Sequence, residues 1–112
     1  MNNLGLLFGR AGDMDRAEKY FREAVSLRAD YGEANNNLAL VLVRKEQTEA
    51  AVELLEGLLK RAPDYDAAYI TLAKIYYAAG RTADAIATLG RLLLRYPEHI
   101  AARDMLRQLK RN

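Results

Sequence analysis

A recurrence at a spacing of 34 residues constrains this chain more than any other feature. Asn37, Leu38 and Ala39 align with Asn3, Leu4 and Gly5 upstream and with Thr71, Leu72 and Ala73 downstream. The columns continue in step: Phe8, Leu42, Tyr76; Gly12, Glu46, Gly80; Ala17, Ala51, Ala85; Phe21, Leu55, Leu89; Ala24, Leu58, Leu92; Ala29, Pro63, Pro97. The junctions repeat too, as Asp30 with Tyr31, Asp64 with Tyr65, and Glu98 with His99. A fixed period of this length means stacked copies of one supersecondary unit, each burying its faces against its neighbours.

The unit is helical. Between glycine and proline breaks the apolar residues fall three and four apart, the helical period. A first segment, about 1–11, carries Leu4, Leu7, Phe8 and Ala11 on one stripe. Gly12 breaks it, and Asp13 is placed to cap a second helix that runs to about Leu27, with Ala17, Tyr20, Phe21, Ala24, Val25 and Leu27 inward. The third helix, about 33–45, is apolar almost all round between Leu38 and Val43, so it is expected to be covered on several sides. Thr48 is read as the cap of the fourth, which carries Ala51, Leu54, Leu55, Leu58 and Leu59. Pro63 stops it, and Asp64 is read as the start signal for a fifth helix, about 66–79. Thr82 opens the sixth, with Ala85, Ile86, Leu89, Leu92 and Leu93 inward. The last, about 99–110, sets Ile100, Met105, Leu106 and Leu109 against a basic face.

These columns resemble the tetratricopeptide repeat family, whose period is 34 and whose unit is a helix-turn-helix. The resemblance covers the whole chain. It implies an all-α fold, an alpha-alpha superhelix (solenoid) of about seven helices. The repeats would span about 1–31, 32–65 and 66–99, with a capping helix over 100–112, in what reads as a fragment of a longer protein. Small residues at Gly5, Ala39 and Ala73, and at Ala17, Ala51 and Ala85, let paired helices approach. Phe8, Leu42, Tyr76 and Phe21 are expected to fill the space between units. The chain departs from the pattern where Glu46 replaces a turn glycine, where Leu58 and Leu92 replace alanine, and where Ala29 replaces proline. Met1 falls in the column of Asn35 and Tyr69, so the first helix lacks about three residues relative to its counterparts.

Composition narrows the function classes. Seventeen basic against fifteen acidic residues leave a formal charge of +2, too small a balance to steer nucleic acid over long range. The chain has no cysteine, hence no disulfide, thiolate ligand or cysteine nucleophile. No apolar run approaches the roughly 18 to 20 residues that span a bilayer, and no secretory signal is visible. His99 is the only histidine and follows Glu98, but its column holds Tyr31 and Tyr65, so it is read as a ring packed at a helix start. With no phosphate loop or nucleophile motif, the chain is expected to be neither an enzyme nor a cofactor or metal carrier. Arg103, Arg107, Lys110 and Arg111 are read as the solvated face of a cap helix, with a charge that suits its C-terminus. Compartment is left between the cytoplasm and a periplasm reached through a removed signal.

In the family the first helix of each unit lines a concave surface, which by column also takes in Asn2, Gly9, Glu33, Ala67 and Ala78 of this chain. Carried over by column, the candidate peptide-binding residues are Asn3, Leu6 and Arg10; then Asn36, Asn37, Leu40, Val43 and Arg44; then Ile70, Thr71, Lys74 and Tyr77. Apolar side chains rimmed by Arg10, Arg44 and Lys74 resemble a protein-binding surface. The resemblance brings two binding modes to test. The carboxylate clamp of chaperone partners needs lysine, arginine and asparagine where this chain has Asn2, Leu6, Asn37, Ala67 and Thr71, so only Asn37 matches and that mode is not expected. In the other, a repeated asparagine grips a peptide backbone, since an amide both donates and accepts. Asn3 and Asn37 occupy that column and Thr71 breaks it. The implied function is a non-catalytic scaffold that binds a peptide or helix of a partner protein. The alternative is self-association into a homo-oligomer through the incomplete N-terminal edge at Leu4, Leu7 and Phe8.

Overall fold

The computed structural model describes residues 1–111. It is all-α, with seven helices among the described residues: α1 (Asn2–Arg10), α2 (Met14–Leu27), α3 (Gly32–Arg44), α4 (Thr48–Arg61), α5 (Asp66–Ala78), α6 (Thr82–Arg95) and α7 (Ile100–Arg111). Asn112, expected to close the cap helix, lies outside the described residues. The chain divides into two compact units, one holding α1–α4 (Met1–Pro63) and one holding α5–α7, from Asp64 onward. In the first, α1 packs on α2, α2 on α3, and α3 on α4; in the second, α5 packs on α6 and α6 on α7.

The small-residue columns are where paired helices meet. Ala17, Ala39 and Ala51 in the first unit, and Ala73 and Ala85 in the second, are fully buried, with Leu38, Leu55, Leu72 and Leu89 beside them. Leu58 and Leu92, which stand in for alanine, are fully buried as well. Capping is more economical than the sequence implies. Asp13 caps α2 by accepting from the Arg16 amide at 3.1 Å. Thr48 is instead the first residue of α4, behind Gln47, which makes no side-chain cap bond. Tyr65, not Asp64, occupies the cap position of α5 and also makes no side-chain cap bond.

Several apolar residues assigned inward face out. Leu27 is 80% exposed at the last turn of α2, and Ile100 is 74% exposed at the first residue of α7. Both sit at helix ends, where no facing helix reaches them although the period places them on the inner stripe. Leu4 and Leu7 are exposed, and the buried residues of α1 are Asn2 and Gly5. Phe8 stacks instead on Tyr20 within the first pair, with centroids 5.5 Å apart, under the Arg16 guanidinium at 5.4 Å.

The α1–α2, α3–α4 and α5–α6 turns share one hydrogen-bond pattern. Asp13, Gln47 and Arg81 amides donate to the carbonyls of Phe8, Leu42 and Tyr76, five residues back, at 2.8 to 2.9 Å. That pattern closes a helix through one left-handed residue. Gly12 and Gly80 adopt it at φ +83° and +79°, and Glu46 is forced into it at φ +62°. A side chain in that region costs about 1–2 kcal/mol, offset in part by the greater freedom of glycine in the unfolded chain. Glu46→Gly is therefore expected to raise stability by about 0.5–1 kcal/mol, read as a higher urea midpoint with unchanged m-value. A lowered midpoint would contradict it.

Lys45, next to that turn, ties α3 to α2. Its Nζ donates to Asp15 at 2.8 Å and to Glu18 at 2.7 Å, and Arg22 reaches Glu18 at 2.7 Å. The hydrogen bond from Lys45, then its charge, hold Asp15 below its ordinary value. Bonds from Lys45 and then Arg22 do the same for Glu18. The bonds to Asp15 and then Glu18 raise Lys45. Two depressed carboxylates contribute stability above their unfolded pKa that is lost as pH falls through the folded values; the raised lysine contributes below its unfolded pKa and loses that as pH rises past the folded one. Lys45→Met is thus expected to lower Tm at neutral pH, with the gap closing below about pH 4 and narrowing in salt. A gap constant from pH 3 to 8 would remove the cluster's role.

Candidate functional site

On α1, Leu6 and Arg10 lie four residues apart, with Gly9 between them on the same face. On α3, Asn37, Leu40, Val41 and Arg44 follow the i, i+3, i+4, i+7 stripe of one helix face. These two faces line a cavity of about 380 Å³, with Met14 and Phe21 of α2 completing its wall. Leu40 is 45% exposed at the rim, and Arg10 and Arg44 are exposed. Of the residues expected here, the structure brings together Leu6, Arg10, Asn37, Leu40 and Arg44.

The three adjacent asparagines point in three directions, as helical steps require. Asn35 is fully buried and turns back to the α2–α3 turn, donating to the carbonyls of Ala29 at 3.1 Å and Tyr31 at 2.8 Å. Asn36 is half-buried, and its Oδ1 is buried without a hydrogen-bond partner among the described residues. Asn37 faces the cavity, and its Nδ2 donates to Asn2 Oδ1 at 3.2 Å; Asn2 in turn donates to Glu33 Oε1 at 3.4 Å. The amide next to Asn37 is therefore Asn2. Asn3, its column mate, is exposed and lines a separate cavity with Met1, Ala24, Leu27 and Tyr31. The column mapping places Asn2 on the same surface as Asn3, but it could not show which of the two meets Asn37, because side chains that meet across two helices need not share a repeat position. Val43 is half-buried, outside the lining of the α1–α3 cavity.

In the second unit, α5 presents Ile70, half-buried, with Lys74 and Tyr77 exposed at the i+4 and i+7 positions of the same face; Tyr77 is 46% exposed. Thr71 is buried. His99 does not pair with Glu98. Its Nδ1 accepts from the Ala102 amide at 3.2 Å, which caps α7 and fixes the tautomer, so that Nε2 donates to Asp66 Oδ2 at 2.9 Å. Tyr96 Oη donates to the Asp64 carbonyl at 2.8 Å beside it. These contacts give the ring a capping role at the start of α7. Among the described residues no group of three His, Asp or Glu side chains could hold a metal ion. No helix among the described residues is long and apolar enough to cross a membrane.

No curated protein matches the sequence. Solved structures do. The first tetratricopeptide domain of Spaghetti, bound to an HSP90 peptide, superposes with a TM-score of 0.83 at 17% identity, over 98% of this chain and 89% of that one. MamA from Desulfovibrio magneticus RS-1 gives 0.75 at 24% identity, over 96% of this chain, which spans 61% of that chain's length. YrrB, described as a tetratricopeptide protein with an unusual peptide-binding site, gives 0.78 at 19% identity, over 91% and 53% of the two chains. At these identities the likeness is one of fold. Two tetratricopeptide repeat family models match the sequence itself, one over residues 2–66 and one over 42–109. These matches establish that the chain belongs to the tetratricopeptide repeat family.

Proposed function

We propose that the chain is a non-catalytic protein-interaction module that holds a peptide or helix of a partner protein against the first helices of its repeats. The repeats run over about 1–31, 32–65 and 66–99, and the helix that follows caps the last of them. The observation that carries this reading is the α1–α3 cavity, where apolar Leu6 and Leu40 sit beside Asn37, whose amide is steadied by Asn2. Half-exposed apolar side chains around one oriented amide suit a peptide: the apolar atoms supply affinity and the amide pairs with a backbone group. On α5, Ile70, Lys74 and Tyr77 offer a second contact face, and Tyr is among the residues that most often anchor interfaces. Peptide binding by similar folds, as in the Spaghetti and YrrB structures, supports the reading.

The test is a peptide selected from a random display library on the intact chain. Asn37→Ala with Tyr77→Ala is expected to weaken its binding by about tenfold or more, without loss of helicity by circular dichroism. Undiminished affinity in the double variant would overturn the proposal. A second reading, self-association through the α1 edge, is favoured by the exposure of Met1, Leu4 and Leu7. A mass in light scattering that stays monomeric across concentration would remove it.

A further inference from the structure

We propose that the α1–α3 cavity is specific for acidic peptides, with carboxylate side chains of an extended segment seated on Arg10 and Arg44. This rests on the peptide-binding reading above and names the chemistry of its ligand.

The observation is an imbalance among the arginines of the first unit. Arg16 pairs with Asp13, Arg22 with Glu18, and Arg28 with Asp30. Arg61 donates from Nε and from a terminal guanidinium nitrogen to the Ala29 carbonyl. Arg10 and Arg44 alone have no ion pair or hydrogen bond among the described residues, and both line the cavity. No aspartate or glutamate shares that lining. Two unengaged guanidinium groups beside an apolar wall make a positive site with no internal counter-charge, and their planar forks suit carboxylates in bidentate contact.

The spacing specifies the ligand further. Arg10 and Arg44 are 34 residues apart, in the same column, on helices α1 and α3 that touch. Packed helix axes lie roughly 8–10 Å apart. An extended peptide rises about 3.3 Å per residue, so two carboxylates two or three residues apart span that distance. The apolar residue between them reaches Leu6 and Leu40. Asn37 lies two helical turns before Arg44 on the same stripe, where it can take the backbone of the same segment.

The competing explanation is local. Arg10 and Arg44 occupy the last turns of α1 and α3, where a cation suits the helix dipole. Fluorescence anisotropy on the full chain separates the two, using three labelled peptides of one apolar pattern that carry Glu, Gln or Lys at the intervening positions. The Glu peptide is expected to bind about tenfold tighter than the Gln peptide, with the Lys peptide weakest, and the gap should shrink as salt rises. Arg10→Gln with Arg44→Gln should abolish the gap by weakening the Glu peptide to the level of the Gln peptide. Equal binding of the Glu and Gln peptides to the native chain would overturn the acidic specificity while leaving peptide binding intact. No binding of any peptide would overturn both readings. A double variant with a lowered Tm and an unchanged Glu preference would return the arginines to the helix-end role.

Discussion

Asn35→Asp is expected to cost about 3–5 kcal/mol at neutral pH, the range for a buried charge without a partner. The substitution is nearly isosteric, so packing is not the cause. The Asn35 amide is fully buried and spends its two N–H groups on the carbonyls of Ala29 and Tyr31. A carboxylate there would face two carbonyl oxygens with no proton to share. The Asn35 Oδ1 has no hydrogen-bond partner among the described residues, and no donor among them compensates the added charge. The pH dependence gives the test its direction. Desolvation and the facing carbonyls raise the folded-state pKa of the introduced carboxyl above its unfolded value. A raised acid is destabilising at pH above both values, and the loss shrinks as pH falls through the folded pKa, because a protonated carboxyl can donate to one carbonyl. Urea unfolding of the variant and the native chain at pH 7 and pH 4.5 should show the stability gap narrowing on acidification. A gap independent of pH would mean that the side chain escapes to solvent and that Asn35 does not fasten the turn.

The turn itself explains why this residue matters. Ala29 stands where the next two repeats have Pro63 and Pro97, whose rings fix the backbone φ. The Ala29 carbonyl is held from two sides, by Asn35 of α3 and by the Arg61 guanidinium of α4 at 3.2 and 3.3 Å.

The sequence made the architecture legible because helix packing is written in side-chain size and period. Ala17, Ala51 and Ala85 recur where backbones must approach, and each is fully buried. Arg10, Asn37, Leu40 and Arg44 could be placed on one surface by column alone. Asn35 could not be understood that way, because its partners are backbone carbonyls, which leave no mark in a sequence. Its column mates, Met1 and Tyr69, share no chemistry with it. Leu27 and Ile100 misled for a related reason. Periodicity assigns a face along a helix, while burial depends on whether another helix covers that face at that height. The His99 cap on α7 was hidden because Asp66, its carboxylate partner, lies 33 residues away and Glu98 is its neighbour in sequence.

Gly5→Ala is expected to destabilise the chain by about 2 kcal/mol, although alanine is the better helix former. A Cβ built at Gly5 overlaps three atoms of the Phe21 ring, a buried side chain of α2 that also walls the α1–α3 cavity. Overpacking of this kind costs about 1–3 kcal/mol. The contact lies at the severe end of that range, and helix propensity returns about 1 kcal/mol. The repeat columns supply the control. Where position 5 has Gly, position 21 has Phe; the matching pairs in the other repeats are Ala39 with Leu55 and Ala73 with Leu89. A methyl and a ring cannot share the space, whereas a methyl and a leucine do so twice in this same chain. Phe21→Leu alone should destabilise by opening a void, and adding Gly5→Ala should then cost less than in the native background or stabilise. A double-mutant cycle is expected to return a favourable coupling of about 1–2 kcal/mol. Amide exchange should show α1 loosening most in Gly5→Ala, since α1 can relieve the clash by lifting from α2. Strict additivity of the two substitutions would mean that the pairing of glycine with phenylalanine in the first repeat is not a packing exchange.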